Sequence, residues 1–225
     1  MDKSVYPTFD IQNLVANKSA NDLLNADRFK SYLNSNPHLG VVHNHTVYHL
    51  VYFTEGSGEQ VIDFVTFPVQ KGMIYFMRPG QVHKWYFDEV ADGYIVNFSA
   101  TFFDQLFINT NFIDQFSFFD RVAAHQVLLL KEETQRQVEQ IFEKILREQS
   151  ENLSSPQLMI ATLLLQLFLT VERNDAKTIK EETGGYNSVI LRNFQKLIED
   201  NFKSIRLPKD YAGLLYITPN HLNAL

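Results

Sequence analysis

Four of the seven histidines stand at positions that would bring their imidazole rings together. His43, His45 and His49 are separated by even numbers of residues, and His83 follows a Pro-Gly turn. On a β-strand, residues separated by even steps share one face of the sheet. Neutral imidazole is a common ligand of zinc, nickel and iron, and it also exchanges hydrogen bonds with organic ligands. The spacing therefore predicts that these four residues, here called the histidine cluster, form a binding site.

The residues beside the cluster favour an effector pocket. Trp85 and Phe87 share a strand face with His83, which predicts apolar walls next to polar groups. The predicted effector pocket consists of His43, His45, His49, His83 and Trp85. Further candidate neighbours are Tyr48, Tyr52, Tyr75 and Asn97. An effector pocket needs no cofactor. A divalent metal held by the four histidines is an alternative, and ordinary buried, hydrogen-bonded histidines are a third interpretation.

Strands must position these side chains. Residues 41–99 are rich in β-branched and aromatic residues, which favour β structure. The predicted strands are 43–54, 59–64, 65–69, 74–77, 84–87 and 94–99. The segment Glu55-Gly56-Ser57-Gly58 predicts a hairpin between the first two. Short strands this close together are typical of a barrel or sandwich, and residues 126–130 would add a strand that closes the sheet.

Helices are predicted after the β region. Residues 101–107 predict a short helix, and 132–149 show an apolar stripe at helical spacing. Ser155 and Pro156 predict the start of a third helix, which runs to about Arg173 and is apolar nearly all round. The two long helices would either cover the sheet or form a dimer seam, and both uses stay open.

The C-terminal segment is predicted to be a separate helical region. Residues 174–186 are polar and contain Gly184 and Gly185, which predicts a linker. A helix, a second helix at 208–215 and a third beginning at Pro219 follow, and the last two have the proportions of a helix-turn-helix. The predicted DNA-binding residues are Thr218, Asn220, His221 and Asn223. A helical hairpin that packs on the rest of the protein is the alternative.

Composition and charge exclude several classes of protein. The chain has 225 residues, of which 45% are hydrophobic, and it contains no cysteine, so a disulfide scaffold, a thiolate zinc site and a cysteine nucleophile are excluded. The net charge is −6, but residues 187–225 carry five basic and three acidic side chains. The N-terminus lacks the apolar run of a secretory signal, so we expect a cytoplasmic protein with no membrane partner.

The order of these parts resembles the AraC/XylS family of bacterial transcription regulators. The resemblance begins at about residue 35 and is carried by GSGEQVIDF (56–64), PVQKG (68–72), RPGQVH (78–83), the helix pair, the linker and LPKDYAGLLYITPNHLNAL (207–225). It implies an α+β fold in which residues 1–173 form a cupin-like β-barrel with a helical dimerisation hairpin. Residues 187–225 would be a partial all-α helix-turn-helix domain. In cupin barrels a glutamate usually occupies the position of His49.

The resemblance also implies a function. The protein would be a ligand-responsive, DNA-binding regulator and not an enzyme, with a small effector in the barrel that modulates DNA binding by a homodimer. Its partners would be DNA and that effector. The alternative is a metal-dependent cupin enzyme, an oxygenase or isomerase, or a metal sensor, each using the histidine cluster. A dimerising module without an effector, whose interior would be filled, is a third hypothesis.

Members of this family continue with a second helix-turn-helix unit beyond the position of Leu225. We therefore expect the 225-residue chain to bind duplex DNA weakly, because about half of the phosphate contacts would be missing. A gel mobility-shift assay over a series of salt concentrations measures this, and tight, site-specific binding would contradict the expectation.

Overall fold

The computed structural model describes residues 6–14, 23–104, 112–120, 125–151, 154–182 and 186–224. The chain divides into two compact units, Met1–Asn174 and Asp175–Leu225. The strands are β1 (Thr8–Phe9), β2 (Leu24–Arg28), β3 (Asn44–His45), β4 (Tyr48–Glu55), β5 (Gly58–Ile62), β6 (Val65–Val69), β7 (Met73–Met77), β8 (His83–Phe87), β9 (Asp92–Phe98) and β10 (Val127–Leu129). The helices are α1 (Ile11–Leu14), α2 (Phe29–Ser35), α3 (Thr101–Asp104), α4 (Glu132–Ser150), α5 (Pro156–Glu182), α6 (Tyr186–Asn201), α7 (Pro208–Leu214) and α8 (Pro219–Asn223), with 3-10 helices at Pro37–Gly40, Phe112–Gln115 and Ser117–Phe119.

The centre of the first unit is a five-stranded antiparallel sheet in the order β10-β7-β4-β9-β2. Its middle strand, β4, is buried from Tyr48 to Phe53 without interruption. A strand reads as a continuous apolar run when both faces of its sheet are covered. The two faces of this sheet accordingly belong to two separate hydrophobic layers.

Helices cover one face of the five-stranded sheet. β4 contributes Leu50 and Tyr52 to this layer. Four α4 side chains at helical spacing are buried in it: Val138, Ile141, Phe142 and Ile145. α5 adds residues at similar spacing, among them Ile160, Leu164, Leu167 and Val171. The amphipathic pattern of residues 132–149 is thus confirmed, and both long helices pack on the sheet.

A second, three-stranded sheet in the order β6-β5-β8 packs against the opposite face. Phe53 of β4 lies 5.2 Å from Trp85 of β8 between ring centroids. The mixed α+β class with antiparallel sheets is therefore confirmed. Within the described residues the strands form three hydrogen-bonded sheets, the third of which pairs β1 with β3 in parallel, so a closed barrel stays a prediction.

The predicted hairpin between β4 and β5 is wrong. β4 pairs with β7 and β9, whereas β5 pairs with β6 and β8. The glycine-rich segment carries the chain from one sheet to the other, with Gly56 at φ 114° and Gly58 at φ 144°. A Cβ on Gly58 would lie 2.1 Å from the Tyr86 carbonyl oxygen, so glycine is required where the crossing chain joins β8.

Other predicted elements can be compared with the observed bounds of β10, α3 and α5. Residues 126–130 supply β10, which pairs with β7 at the sheet edge as predicted. Of the predicted helix at 101–107, the part from Thr101 to Asp104 is helical and the rest lies outside the described residues. The third helix was predicted to end at Arg173, which is wrong because α5 continues to Glu182. The role of 174–186 as a linker stays a prediction.

The second unit has its own small core. Tyr211 and Ala212 of α7 pack against Leu222 of α8. The Thr218 hydroxyl accepts a hydrogen bond from the backbone N–H of His221 at 3.2 Å, so Thr218 is the N-cap of α8 as predicted. Among the described residues of both units, no helix combines the length and the hydropathy that crossing a bilayer would demand.

The turn between β5 and β6 places two non-glycine residues at positive φ, Asp63 at 45° and Phe64 at 72°. Such two-residue turns favour glycine. Phe64 is 85% exposed, so its side chain contributes little burial. We expect Phe64→Gly to raise the free energy of unfolding by on the order of 0.5–1 kcal/mol, measured in urea through the fluorescence of the single tryptophan, Trp85.

The matched control is Val65→Gly, one residue further along in β6. Glycine inside a strand should lower the free energy of unfolding by roughly 0.5–1 kcal/mol. Equal destabilisation by both substitutions would show that the turn carries no backbone strain.

Candidate functional site

The structure brings the histidine cluster together between the two sheets. Ring centroids are 4.4 Å apart for His43 and His83, 4.8 Å for His43 and His45, and 4.8 Å for His45 and His49. His83 also lies 4.9 Å from His45 and 5.3 Å from His49. All four side chains are buried, with 1–2% of their surface exposed. The proximity of the four histidines is thus confirmed. The single strand predicted at 43–54 is wrong, because His43 lies on an isolated bridge, His45 on β3 and His49 on β4.

Main-chain hydrogen bonds hold the segments that carry these rings. The His43 amide donates to the His83 carbonyl at 3.1 Å, and the His83 amide donates to the His43 carbonyl at 2.8 Å. The amide of Gly80 donates to the His45 carbonyl at 2.8 Å, which fixes the turn before β8 on β3. His49 stands directly opposite Asn97 in the pairing of β4 with β9. Three separate parts of the chain therefore meet at this point.

Oxygen acceptors fix the tautomers of two of the rings. The Nδ1 atom of His43 lies 2.7 Å from the Val41 carbonyl oxygen, and that of His83 lies 3.2 Å from the Gln81 carbonyl oxygen. Because a carbonyl oxygen only accepts, the facing Nδ1 atoms carry the protons. Each Nε2 atom then keeps its lone pair.

The other two rings differ from each other. The Nδ1 atom of His49 donates to Oδ1 of Asn97 at 2.6 Å, which again leaves the Nε2 lone pair available. Neither ring nitrogen of His45 has a hydrogen bond of good geometry, although the Phe9 backbone is a polar neighbour of the ring. It is therefore the ring of the cluster that the surrounding protein orients least through hydrogen bonds.

The layer between the sheets contains an unusual number of buried polar atoms without partners. Among the described residues these include Nε2 of His43, His49 and His83, both ring nitrogens of His45 and Oε1 of Gln60, whereas the Tyr32 hydroxyl and the Asn97 side chain are close enough to interact with each other. Each such atom costs about 1–3 kcal/mol when it stays unsatisfied. A bound ligand that supplies partners would recover part of that free energy.

Burial keeps the cluster uncharged. Desolvation lowers the pKa of all four histidines from 6.5, and for His49 to about 3. Repulsion between neighbouring imidazoles lowers the pKa of His45 and His83 further. At neutral pH the site therefore presents neutral imidazoles with available lone pairs.

Three of the histidines lie close enough together to be candidate metal ligands. One nitrogen each from His43, His45 and His83 lies within 4.8 Å of the other two. No aspartate or glutamate of the described residues belongs to this donor group. The group is therefore made of neutral nitrogen donors alone.

Aromatic side chains line the space next to the histidines. Trp85 lies two residues from His83 on the same strand face and packs 5.2–5.6 Å from the rings of Phe29, Phe53 and Tyr75. Trp85 is thus placed beside the cluster as part of an aromatic group, and its role in a pocket stays a prediction.

Two of the predicted pocket neighbours, Tyr48 and Tyr52, lie on the helix-covered face of the five-stranded sheet, away from the histidine cluster. Tyr48 stacks on Phe98 at 4.9 Å in the helix-covered layer, and Tyr52 donates from its hydroxyl to Oε1 of Glu139 at 3.0 Å. Both stand at even positions, whereas His49 stands at an odd one, so the alternation of β4 sends them to the opposite face.

Sequence reasoning missed Tyr32 and Gln60. Gln60 shares its strand face with the buried Ile62, so strict alternation along β5 marks it as an inward-facing polar residue. No comparable signal marks Tyr32, which reaches the site from α2 only through the tertiary fold.

The predicted DNA-binding residues lie on the second unit. Asn220 and Asn223 are exposed on α8, His221 is half-buried, and Thr218 caps the helix. All four residues therefore stand on or beside one short helix, and their contact with DNA stays a prediction.

Comparison with known proteins gives one family match. Residues 36–168 match the family model described as the AraC-like ligand binding domain. This range contains the whole histidine cluster, Trp85, Gln60 and Asn97. No curated protein sequence matches the chain.

Several solved structures are similar at low sequence identity. ToxT from Vibrio cholerae is 11% identical over 89% of this chain and 73% of its own, with a TM-score of 0.39. The AraC-like transcriptional activator CuxR is 11% identical over 88% of this chain and 65% of its own, with a TM-score of 0.40. Oxalate decarboxylase from Bacillus subtilis is 15% identical over 34% of this chain and 26% of its own, with a TM-score of 0.26.

The buried histidines predict a pH dependence of stability for the chain in the presence of a chelator. A histidine with a folded pKa below its unfolded value of 6.5 binds fewer protons when folded. Stability is therefore complete above pH 6.5 and is lost as the pH falls. Each histidine adds a slope of up to about 1.4 kcal/mol per pH unit.

Urea unfolding between pH 7 and pH 5 measures this slope. The variant His45→Leu should show about three quarters of the wild-type slope, because one of four histidines is removed. A free energy of unfolding that does not change across this range would show that the imidazoles are not buried as described.

Proposed function

The chain belongs to the AraC-like ligand-binding domain family, and from that membership we propose that it is a ligand-responsive transcription regulator whose effector binds between the two sheets. The observation that carries the proposal is the group of buried polar atoms without partners inside the family-matched range. Native proteins seldom leave such atoms unsatisfied. A ligand of the right chemistry would supply the missing partners.

The residues of the site indicate what that chemistry is. The proposed effector pocket consists of His43, His45, His49, His83 and Trp85. Its imidazole lone pairs call for a ligand that donates hydrogen bonds or accepts electron pairs. The aromatic group around Trp85 would contact the apolar part of the ligand. A mixed polar and aromatic wall of this kind fits the recognition of a small molecule.

A path from the site to the helices supports a regulatory role. His49 and Tyr52 stand on opposite faces of β4, and the Tyr52 hydroxyl is bonded to Glu139 of α4. Further along α4, the Gln149 side chain bonds both the amide and the carbonyl of Ala26 at 2.7 and 2.8 Å. A ligand that moved β4 would therefore change the position of α4. In the proposed mechanism the effector shifts the population of helix arrangements in this way.

The helices offer a surface for the proposed homodimer. Leu158 and Met159 near the start of α5 are 53% and 48% exposed. Leu165 and Leu169 continue the face of Leu158 at steps of seven and eleven residues and are only partly buried. We propose that this face pairs two copies. The DNA contacts of that dimer are assigned to Thr218, Asn220, His221 and Asn223.

A metal-dependent cupin enzyme is the second candidate, and the three-histidine donor group favours it. It differs from the regulator in requiring turnover of a substrate. The family match favours the regulator, because the matched domain binds ligands.

Thermal unfolding with a panel of sugars, aromatic acids and fatty acids tests the effector site. A compound at 100 times its Kd should raise the Tm of the wild type by roughly 5–10 °C. His83→Ala should abolish the shift, because it removes one polar wall of the pocket. The matched control is His125→Ala, since His125 pairs with Asp120 and stands outside the cluster.

Two results would contradict the proposal. The first is a compound that stabilises wild type and His83→Ala equally, which would place the ligand elsewhere. The second is the absence of a shift with every class of compound, which would favour a filled interior.

A further inference from the structure

We propose that the histidine cluster is a binding site for a divalent first-row transition metal, held by Nε2 of His43, Nε2 of His83 and one ring nitrogen of His45. The inference rests on the proposed function, because it names the chemistry of the same site. Its first support is distance, since one ring nitrogen from each of the three histidines lies within 4.8 Å of the other two. Ligands of tetrahedral zinc, at about 2.1 Å from the metal, are separated by roughly 3.4 Å. Inward movements of on the order of 1 Å would complete the site.

The second support is the orientation of the rings. Histidines that ligate metals donate their other ring N–H to a carbonyl or carboxylate oxygen, which fixes the tautomer and the ring plane. Nδ1 of His43 and Nδ1 of His83 are already bonded in this way to the carbonyl oxygens of Val41 and Gln81. Because main-chain carbonyl oxygens accept these hydrogen bonds, the Nε2 lone pairs of His43 and His83 stay available without the help of a side chain from outside the cluster.

The third support is the free-energy cost of burying ring nitrogens without partners. Five ring nitrogens of the cluster are buried and have no hydrogen-bond partner. Those that carry lone pairs repel each other at close range. A cation placed among them turns that repulsion into attraction and satisfies three nitrogens at once.

The donor types select the class of metal. Imidazole suits zinc, nickel, copper and iron, whereas magnesium and calcium prefer oxygen ligands. The donor group contains no carboxylate among the described residues, and the whole sequence contains no cysteine. Three neutral ligands leave the full charge of the ion in a buried place. The remaining coordination position would therefore favour an anionic ligand such as a carboxylate.

His49 is assigned a flanking position. Its ring lies 4.8 Å from that of His45 and 5.3 Å from that of His83, but it does not belong to the three-nitrogen group. Its Nε2 atom is buried and has no partner, so it can contact a ligand in the open coordination position. Removing His49 should consequently weaken metal binding less than removing any of the three ligands.

Competition between the tag-free 225-residue chain and a chromophoric chelator for Zn²⁺ measures the affinity. One ion per chain is expected, and His43→Ala, His45→Ala and His83→Ala should each lower the affinity by at least about 100-fold. His49→Ala should lower it by about 10-fold. The matched control is His38→Ala, because His38 is exposed and lies next to Phe9 outside the donor group.

Co²⁺ gives a second readout that does not depend on stoichiometry. Visible absorption typical of tetrahedral cobalt with nitrogen ligands should appear in the wild type and disappear in His45→Ala. The fluorescence of Trp85 verifies that each variant is folded. Should His45→Ala fail to fold, His43→Asn replaces it, since asparagine keeps a short polar side chain at a position fixed by main-chain hydrogen bonds.

The outcomes separate this inference from the proposed function. No saturable binding of Zn²⁺ or Co²⁺, or equal affinity in wild type and His45→Ala, overturns the metal site. If an organic compound still raises the Tm through His83, the regulator proposal survives that result. Tight metal binding without any Tm response to organic compounds would support the metal site and count against an organic effector.

Discussion

Strand β4 is covered by protein on both of its faces, so every side chain along it must suit one of two different neighbours. Leu50 and Tyr52 meet the helices, while His49, Val51 and Phe53 meet the second sheet. An apolar residue satisfies either neighbour at once. A histidine does so only if its polar atoms find partners inside the protein. The position of His49 on this strand is therefore the strongest sign that the interior serves a purpose beyond packing.

The other three histidines follow from the same constraint. β3 and β8 lie on the side of β4 that His49 faces, and the paired main-chain amides and carbonyls of His43 and His83 join these two segments. Since the rings come from three parts of the chain, near β3, on β4 and on β8, the cluster exists only in the folded chain. Carbonyl oxygens then orient two of the rings before any ligand arrives, so little conformational entropy remains to be lost on binding.

The alternation of side chains along a β-strand explains how much of the site the sequence could predict. The even spacing of His43, His45 and His49 predicted that their rings come together, although they lie on separate segments and not on one strand. Within β4, the same alternation excludes Tyr48 and Tyr52 from the face of His49. Gln60 also obeys the rule. Tyr32 does not, because its approach depends on how α2 folds back over the sheet, which no local pattern encodes. The effector, metal and DNA-binding roles of these residues remain predictions.

Two other predictions were wrong, one about the connection between β4 and β5 and one about where the third helix ends. A glycine-rich segment between two strands is typical of a hairpin, but Gly56 and Gly58 instead carry the chain between sheets, and only the partner of each strand distinguishes the two cases. Likewise, the polar residues after Arg173 indicated the end of the third helix, but lysine and glutamate have high helix propensity, and α5 continues to Glu182.

The main-chain bridge between His43 and His83 has a consequence for how such a domain diversifies. Peptide groups make the same bonds whichever side chain they carry, so the framework of the histidine cluster does not depend on imidazole. If the proposed site binds a ligand, substitutions at positions 43, 45 and 83 would change which ligand it binds while these main-chain bonds persist. In the proposed site, the side chains of these residues would determine selectivity, while their main-chain atoms form the scaffold.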